Sequence, residues 1–190
     1  MREKPDTSSL PPSSLPPTAQ RVVATLRTFG WISFWLQVVL GVISSIILLL
    51  SVAFSRNPAS QAGTQGTGFG IFFAICGLVA LGVGAFFAFR YTRISQQLLE
   101  TGRPTKAETL QIIRLGLIVN LVGMLLTIFG AQAVVGSVLA KSLSQQGAVL
   151  DPSRYVQPLD LFVVQGNINT ITAHFAGIAA SLWLFNRVSK

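Results

Sequence analysis

LGLIVNLVGMLLTIFGAQAVVGSVLA, residues 115–140, runs from Arg114 to Lys141 without one charged side chain. A bilayer core of about 30 Å takes about 20 apolar residues as helix. These 26 residues therefore have the length and the chemistry to cross it. Three other stretches share the property. Arg27 to Arg56 encloses 28 uncharged residues, Arg56 to Arg90 encloses 33, and Asp160 to Arg187 encloses 26. The expected spans are about 31–54, 68–90, 114–140 and 161–186. The runs are rich in Leu, Val, Ile and Phe and do not alternate with period two, so lipid-facing barrel strands are excluded. A helix bonds its own backbone groups, as lipid requires. The fold class expected is all-α: an integral membrane four-helix bundle with short cytoplasmic helical extensions.

Composition agrees. Of the 190 residues, 51% are hydrophobic and 11% charged, against about 25% charged in a typical soluble domain. The mean hydropathy is +0.61. The domain division expected is a disordered Pro/Ser-rich cytoplasmic tail over 1–18 and one four-span domain over 19–190. The start, "KPDTSSLPPSSLPPT", reads as partly polyproline. It does not read as a signal peptide, because the first apolar run starts late and is long enough to span. It is also short and carries Glu3 and Asp6, unlike a plastid transit peptide, which suggests a prokaryotic-type start. Residues 19–29 place Val22, Val23, Leu26 and Phe29 on one face, which suits either a short interfacial helix or a plain extension of the first span.

The net charge of +8 is a matter of placement. Arg2, Lys4, Arg21, Arg27, Arg90, Arg93, Arg103, Lys106, Arg114, Arg187 and Lys190 fall on the side that carries both termini. Arg56, Lys141 and Arg154 fall on the other. Eleven basic residues against three put both termini in the cytoplasm by the positive-inside rule. The same charges face anionic lipid headgroups, and no nucleic-acid motif is present, so no nucleic-acid partner is expected. Between spans two and three, Thr101-Gly102-Arg103-Pro104 reads as a helix stop. Thr105-Lys106-Ala107-Glu108 has the spacing of a capping box. Asp160 is placed to cap the fourth helix.

Inside the membrane, helix three sets Gly116, Gly123, Gly130 and Ser137 at seven-residue steps. Asn120 and Thr127 follow the first two glycines by four. A second seam, Gln132-x-x-x-Gly136-x-x-x-Ala140, lies beside it. Helix two offers Ala80, Gly84 and Ala88, and helix four offers Ala173, Gly177 and Ser181. Small residues let helix backbones approach, and amides or hydroxyls bond across the contact. Helix four is the polar span, with Gln165, Asn167, Asn169, Thr170, Thr172 and His174. Asn167, Thr170, His174, Gly177 and Ser181 share one face, and polar groups in lipid should turn toward the bundle. His174 is the one histidine. It is either a bonded group that pins helix four to helix three, or a proton relay or metal ligand. Metal sites usually take three or four ligands, so a metal at His174 would need donors from a second copy, of His174 or of Cys76. No Asp or Glu lies inside a span, so the usual carboxylate of proton-coupled carriers is not visible. The single cysteine excludes an internal disulfide. No G-x-S-x-G, P-loop or C-x-x-C occurs, so neither an enzyme nor a cofactor is expected.

Several segments together resemble a known family. They are "GWISFWLQVVLGVISSIILLLSV" (30–52), "FRYTRISQQL" (89–98), "IIRLGLIVNLVGM" (112–124), "FGAQAVVGSVLAKSL" (129–143) and "LDLFVVQGNINTITAHFAGIAASLWL" (159–184). The family is the four-span chloroplast inner-envelope one known as "permease in chloroplasts" and as a small inner-envelope translocon subunit, with cyanobacterial relatives. The likeness runs from about Leu26 to Leu184 and is most specific at Gln132, Lys141, Asp160, Gln165, Asn169, Thr170, His174 and Phe175. The Pro-rich start departs from plastid members and favours a cyanobacterial protein of the plasma or thylakoid membrane. The resemblance implies either permeation of iron or another metal, or a part in protein import, and it assigns no residue roles. The first expectation is a metal-ion permease, for iron, acting as a homo-oligomer. Its path would be lined by Asn120, Thr127, Gln132, Gln165, Asn169 and His174. The second is a non-transporting scaffold or translocon subunit whose small-residue faces dock partner membrane helices.

Overall fold

The computed structural model describes residues 17–55, 67–98, 104–144 and 158–189. They form four helices: α1 (Pro17–Ser55), α2 (Thr67–Gln97), α3 (Lys106–Ser144) and α4 (Pro158–Ser189). Each is long and apolar enough to cross a membrane, and no strand occurs among the described residues. Most of the 1–18 tail, the 101–103 part of the helix stop and the loops around Arg56 and Arg154 lie outside them.

The four expected spans sit inside longer helices, because the residues flanking each apolar run continue the helix beyond it. Residues 19–29 belong to the same uninterrupted helix as the first span, α1, and do not form a separate helix. α2 runs on past Arg90 to Gln97. The start of α3 is fixed by the reciprocal cap that the spacing predicts. The Thr105 backbone N–H donates to Glu108 Oε2 at 2.9 Å, and the Glu108 N–H donates to Thr105 Oγ1 at 3.2 Å. Two otherwise orphaned donors are satisfied. Thr105→Ala should cost about 1 kcal/mol, read as faster hydrogen exchange at the first turn of α3 with the rest of the helix unchanged. At the other end of the bundle, Lys141 and Asp160 form an ion pair at 3.0 Å that ties the end of α3 to the start of α4.

The helices form a ring, α1–α2–α3–α4 and back to α1, with α2 and α4 also touching across it. Most of its surface is apolar: Leu49, Phe69, Val79 and Phe175 are all more than half exposed, as lipid-facing side chains should be. The interior divides in two. At the basic end, Leu26, Tyr91, Ile94, Ile113, Leu184 and Val188 form an apolar core drawn from all four helices. Deeper in the membrane the buried residues include the polar Ser33, Gln37, Ser44, Asn120, Thr127, Asn167, Thr170 and His174, beside small or aliphatic ones such as Ala74, Leu81 and Ala173. Water does not drive helices together in lipid, so close backbone approach and internal polar bonds must do so.

Candidate functional site, a polar node between glycine-faced helices

The node rests on how α2 meets α3. Gly70, Gly77 and Gly84 recur at seven-residue steps on α2 and face the glycine heptad of α3 in the opposite direction. A Cβ built on Gly84 would lie 2.7 Å from Asn120 Oδ1. One on Gly77 would run into the Thr127 hydroxyl, and one on Gly116 into the Tyr91 hydroxyl. Gly130 and Gly70 meet backbone to backbone, each built Cβ falling 3.1–3.3 Å from the other's carbonyl oxygen. Gly77, Gly84 and Gly116 thus clear space that a polar or aromatic side chain of the facing helix fills, and Gly70 and Gly130 let the two backbones touch.

The glycines also supply acceptors. Asn120 Nδ2 donates to Gly116 O at 2.8 Å and Thr127 Oγ1 to Gly123 O at 2.8 Å. On α4 Thr170 Oγ1 donates to Gly166 O at 3.0 Å, and on α1 Ser45 Oγ donates to Gly41 O at 2.7 Å. The same one-turn bonds also reach carbonyls of larger residues, Asn167 to Val163 O at 3.1 Å and Thr172 to Ile168 O at 2.8 Å. The pairing lets hydroxyls and amides sit in lipid with their donors satisfied.

His174 closes the node. It is fully buried. Its Nδ1 lies 3.2 Å from Asn120 Oδ1 and its Nε2 lies 3.2 Å from Gly77 O. Asn120 is oriented by its bond to Gly116 O, so its oxygen must face the ring. Both imidazole nitrogens therefore meet oxygen acceptors. A neutral ring donates through one nitrogen only, and a second bond requires the second proton. Gln37 of α1 joins from the side, its Nε2 donating to Asn120 Oδ1 at 3.4 Å and to Ser33 Oγ at 3.2 Å. The node thus draws one side chain or carbonyl from every helix. Gln37 Oε1 has no partner among the described residues. Toward the far end, Ser44 Oγ bonds Gly166 O at 2.9 Å. Ser44, Asn167 and Thr170 border a slit of about 10 Å³, room for about one water.

The six expected path residues divide. Asn120, Thr127 and His174 come together inside. Gln132 and Gln165 are exposed and Asn169 is half-buried, all on the outer surface. Gln165 Nε2 donates to Asn169 Oδ1 at 3.0 Å along the same helix. The expected packing residues mostly face neighbours. Gly123 stands against His174 and Ala80, and Gly177 against Gln37 and Asn120. Ala88 and Ala173 are buried, and Ser181 is bonded to the Tyr91 hydroxyl at 3.2 Å. Ser137 is half-buried and turns its hydroxyl back to Val134 O. Gly136 has nothing within 4 Å of a built Cβ. The sequence reading leaves out Gly77 and Tyr91, and takes Gln37 only as one of the few polar groups of the first span, with Ser44 and Ser45. Gly77 and Tyr91 continue the seven-residue series through Gly70 and Gly84. Gln37 is the one amide in its span. Among the described residues no group of three or more His, Cys, Asp or Glu side chains is placed to hold a metal.

Comparison with known proteins then bears on this bundle. The chain is 33% identical over 190 aligned residues to "Protein TIC 21, chloroplastic" of Arabidopsis thaliana. The match takes in 93% of this chain and 62% of that protein, so the chain spans about three-fifths of the relative's length. No solved structure matches it. The family described as "Protein of unknown function (DUF3611)" matches residues 16–189. A match that takes in all four helices and the whole node shows that the chain belongs to this family.

Proposed function

We propose that this multi-pass membrane protein is a structural subunit of a membrane assembly, docking transmembrane helices of further copies or of other subunits on its outer face. The observation that carries this reading is the outer polar stripe. Gln165, Asn169 and Thr172 lie on one face of α4, and Gln132 faces outward on α3 beside Gly136. Thr172 satisfies itself by donating to Ile168 O at 2.8 Å. Gln165 and Asn169 bond each other, which among the described residues leaves Gln165 Oε1 and the Asn169 amide nitrogen open to another molecule. Gln132 has no partner among the described residues. Polar side chains facing lipid are costly, and small residues beside them admit a second backbone. In this reading both termini and the α2–α3 connection are cytoplasmic, in a cyanobacterial plasma or thylakoid membrane.

The test is assembly in mild detergent or in nanodiscs. Gln165→Leu combined with Asn169→Leu should lower the assembled mass, read by light scattering, and leave helicity unchanged. An unchanged mass would remove the stripe from the interface. A second reading, metal-ion permeation with iron as cargo, draws support from the same residues. Gln132, Gln165 and Asn169 of neighbouring copies would line a path between subunits, and Gln37 Oε1 is an open oxygen beside His174. Proteoliposomes separate the two. A permease takes up iron and loses uptake on Asn169→Leu, whereas a docking subunit takes up none.

A further inference from the structure

Where α2 leaves the membrane, it and the start of α3 enclose an open groove of about 560 Å³. Phe86, Phe89, Arg90, Arg93, Glu108 and Ile112 line it. The groove has two chemistries, in a fixed order. Val79, Val83, Phe86 and Arg90 fall on one face of α2 at steps of four, three and four residues. The first three are exposed apolar side chains, with Val79 64% and Phe86 57% exposed. Arg90 is the first charge after that apolar run, where headgroups begin. Arg93 follows on the same side, with its guanidinium carbon 5.0 Å from the centre of the Phe89 ring, a cation–π contact that holds the side chain over the groove.

Neither arginine is ion-paired among the described residues. Among the described residues the one carboxylate at the groove, Glu108, accepts the Thr105 N–H at 2.9 Å and sits at the N-terminal end of α3, where the helix dipole favours its charge. Among the described residues, both guanidiniums therefore stand without an ion-pair partner above an apolar track. Guanidinium forks match phosphate oxygens in pairs. A soluble phosphate would leave the track unused, and a neutral lipid would leave the arginines unused.

We propose that this groove is a specific site for one anionic phospholipid per chain, its phosphate held by Arg90 and Arg93 and an acyl chain laid along Phe86, Val83 and Val79. The site is independent of what the outer stripe of α4 binds. The lipid would brace the α2 extension against α3 at the height where both leave the bilayer.

The test uses the full chain, purified and reconstituted in mixed phosphatidylglycerol and phosphatidylcholine, with retained lipids counted by native mass spectrometry. The expected result is one phosphatidylglycerol kept per chain in preference to phosphatidylcholine. Arg90→Gln with Arg93→Gln should reduce that preference about tenfold, while Arg114→Gln, an exposed cation that does not line the groove, leaves it intact. Millimolar inorganic phosphate should not displace the lipid. Equal retention of the two lipids, an unchanged preference in the double variant, an equal loss in Arg114→Gln, or displacement by phosphate would each overturn the proposal.

Discussion

Gly123→Leu should destabilise the bundle strongly, and Gly136→Leu on the same helix should leave its stability nearly unchanged. At Gly123 even the first carbon of a side chain would stand 2.6 Å from His174 Nε2 and 2.8 Å from the Ala80 Cβ. Those atoms belong to two different helices, so no single shift relieves both. Overpacking of a dense core costs about 1–3 kcal/mol where neighbours can move. Here the ring is held by Asn120 and by a backbone oxygen, so the cost should reach or pass the top of that range. At Gly136 a Cβ meets nothing within 4 Å. The expected observation is a large fall in the midpoint of denaturant or thermal unfolding in detergent for Gly123→Leu, with Gly136→Leu within about 0.5 kcal/mol of the parent, as for surface changes generally. If Gly136 lies under a docked helix, its variant loses assembly and keeps its midpoint. One helix thus offers separate handles on folding and on association.

His174→Ala should be the most damaging truncation. Two things are lost, and their sizes differ. Hydrogen bonds between membrane helices average about 0.6 kcal/mol each, and a neutral ring donates only one, so the bonding loss is at most about 1 kcal/mol. Large-to-small changes at packed core sites cost about 2–5 kcal/mol. Packing therefore dominates, and His174→Leu, which restores most of the volume and no bond, should recover more than half of the loss. The measurement is the unfolding midpoint of the two variants side by side. Equal losses for Ala and Leu would mean that bonding outweighs packing.

The architecture could be read from spacing between charges, because lipid excludes them over a fixed length and that length is a property of the bilayer. The Thr105–Glu108 cap could be read because both partners lie within four residues. The inward face of α4 was equally legible, since Asn167, Thr170, His174 and Ser181 recur at helical steps and all four are buried. Reach across helices was not. The acceptor for His174 Nε2 is the backbone of Gly77, and a main-chain oxygen leaves no mark on a sequence except the small residue that exposes it. The outward placement of Gln132, Gln165 and Asn169 was hidden for a different reason. A polar residue in a span is expected to turn inward within its own bundle, and in the proposed docking role these side chains turn toward a neighbouring subunit instead.

The bond from His174 to Gly77 has a genetic consequence. A change at codon 174 can delete the donor in one step, but no missense change at codon 77 can delete the acceptor, since every amino acid carries the same carbonyl. Among uncharged replacements other than proline, damage at position 77 acts through bulk, by pushing Thr127 and α3 away. Random mutagenesis should therefore return lesions at 174 graded by both chemistry and size, and uncharged, non-proline lesions at 77 graded by side-chain volume, with alanine the mildest.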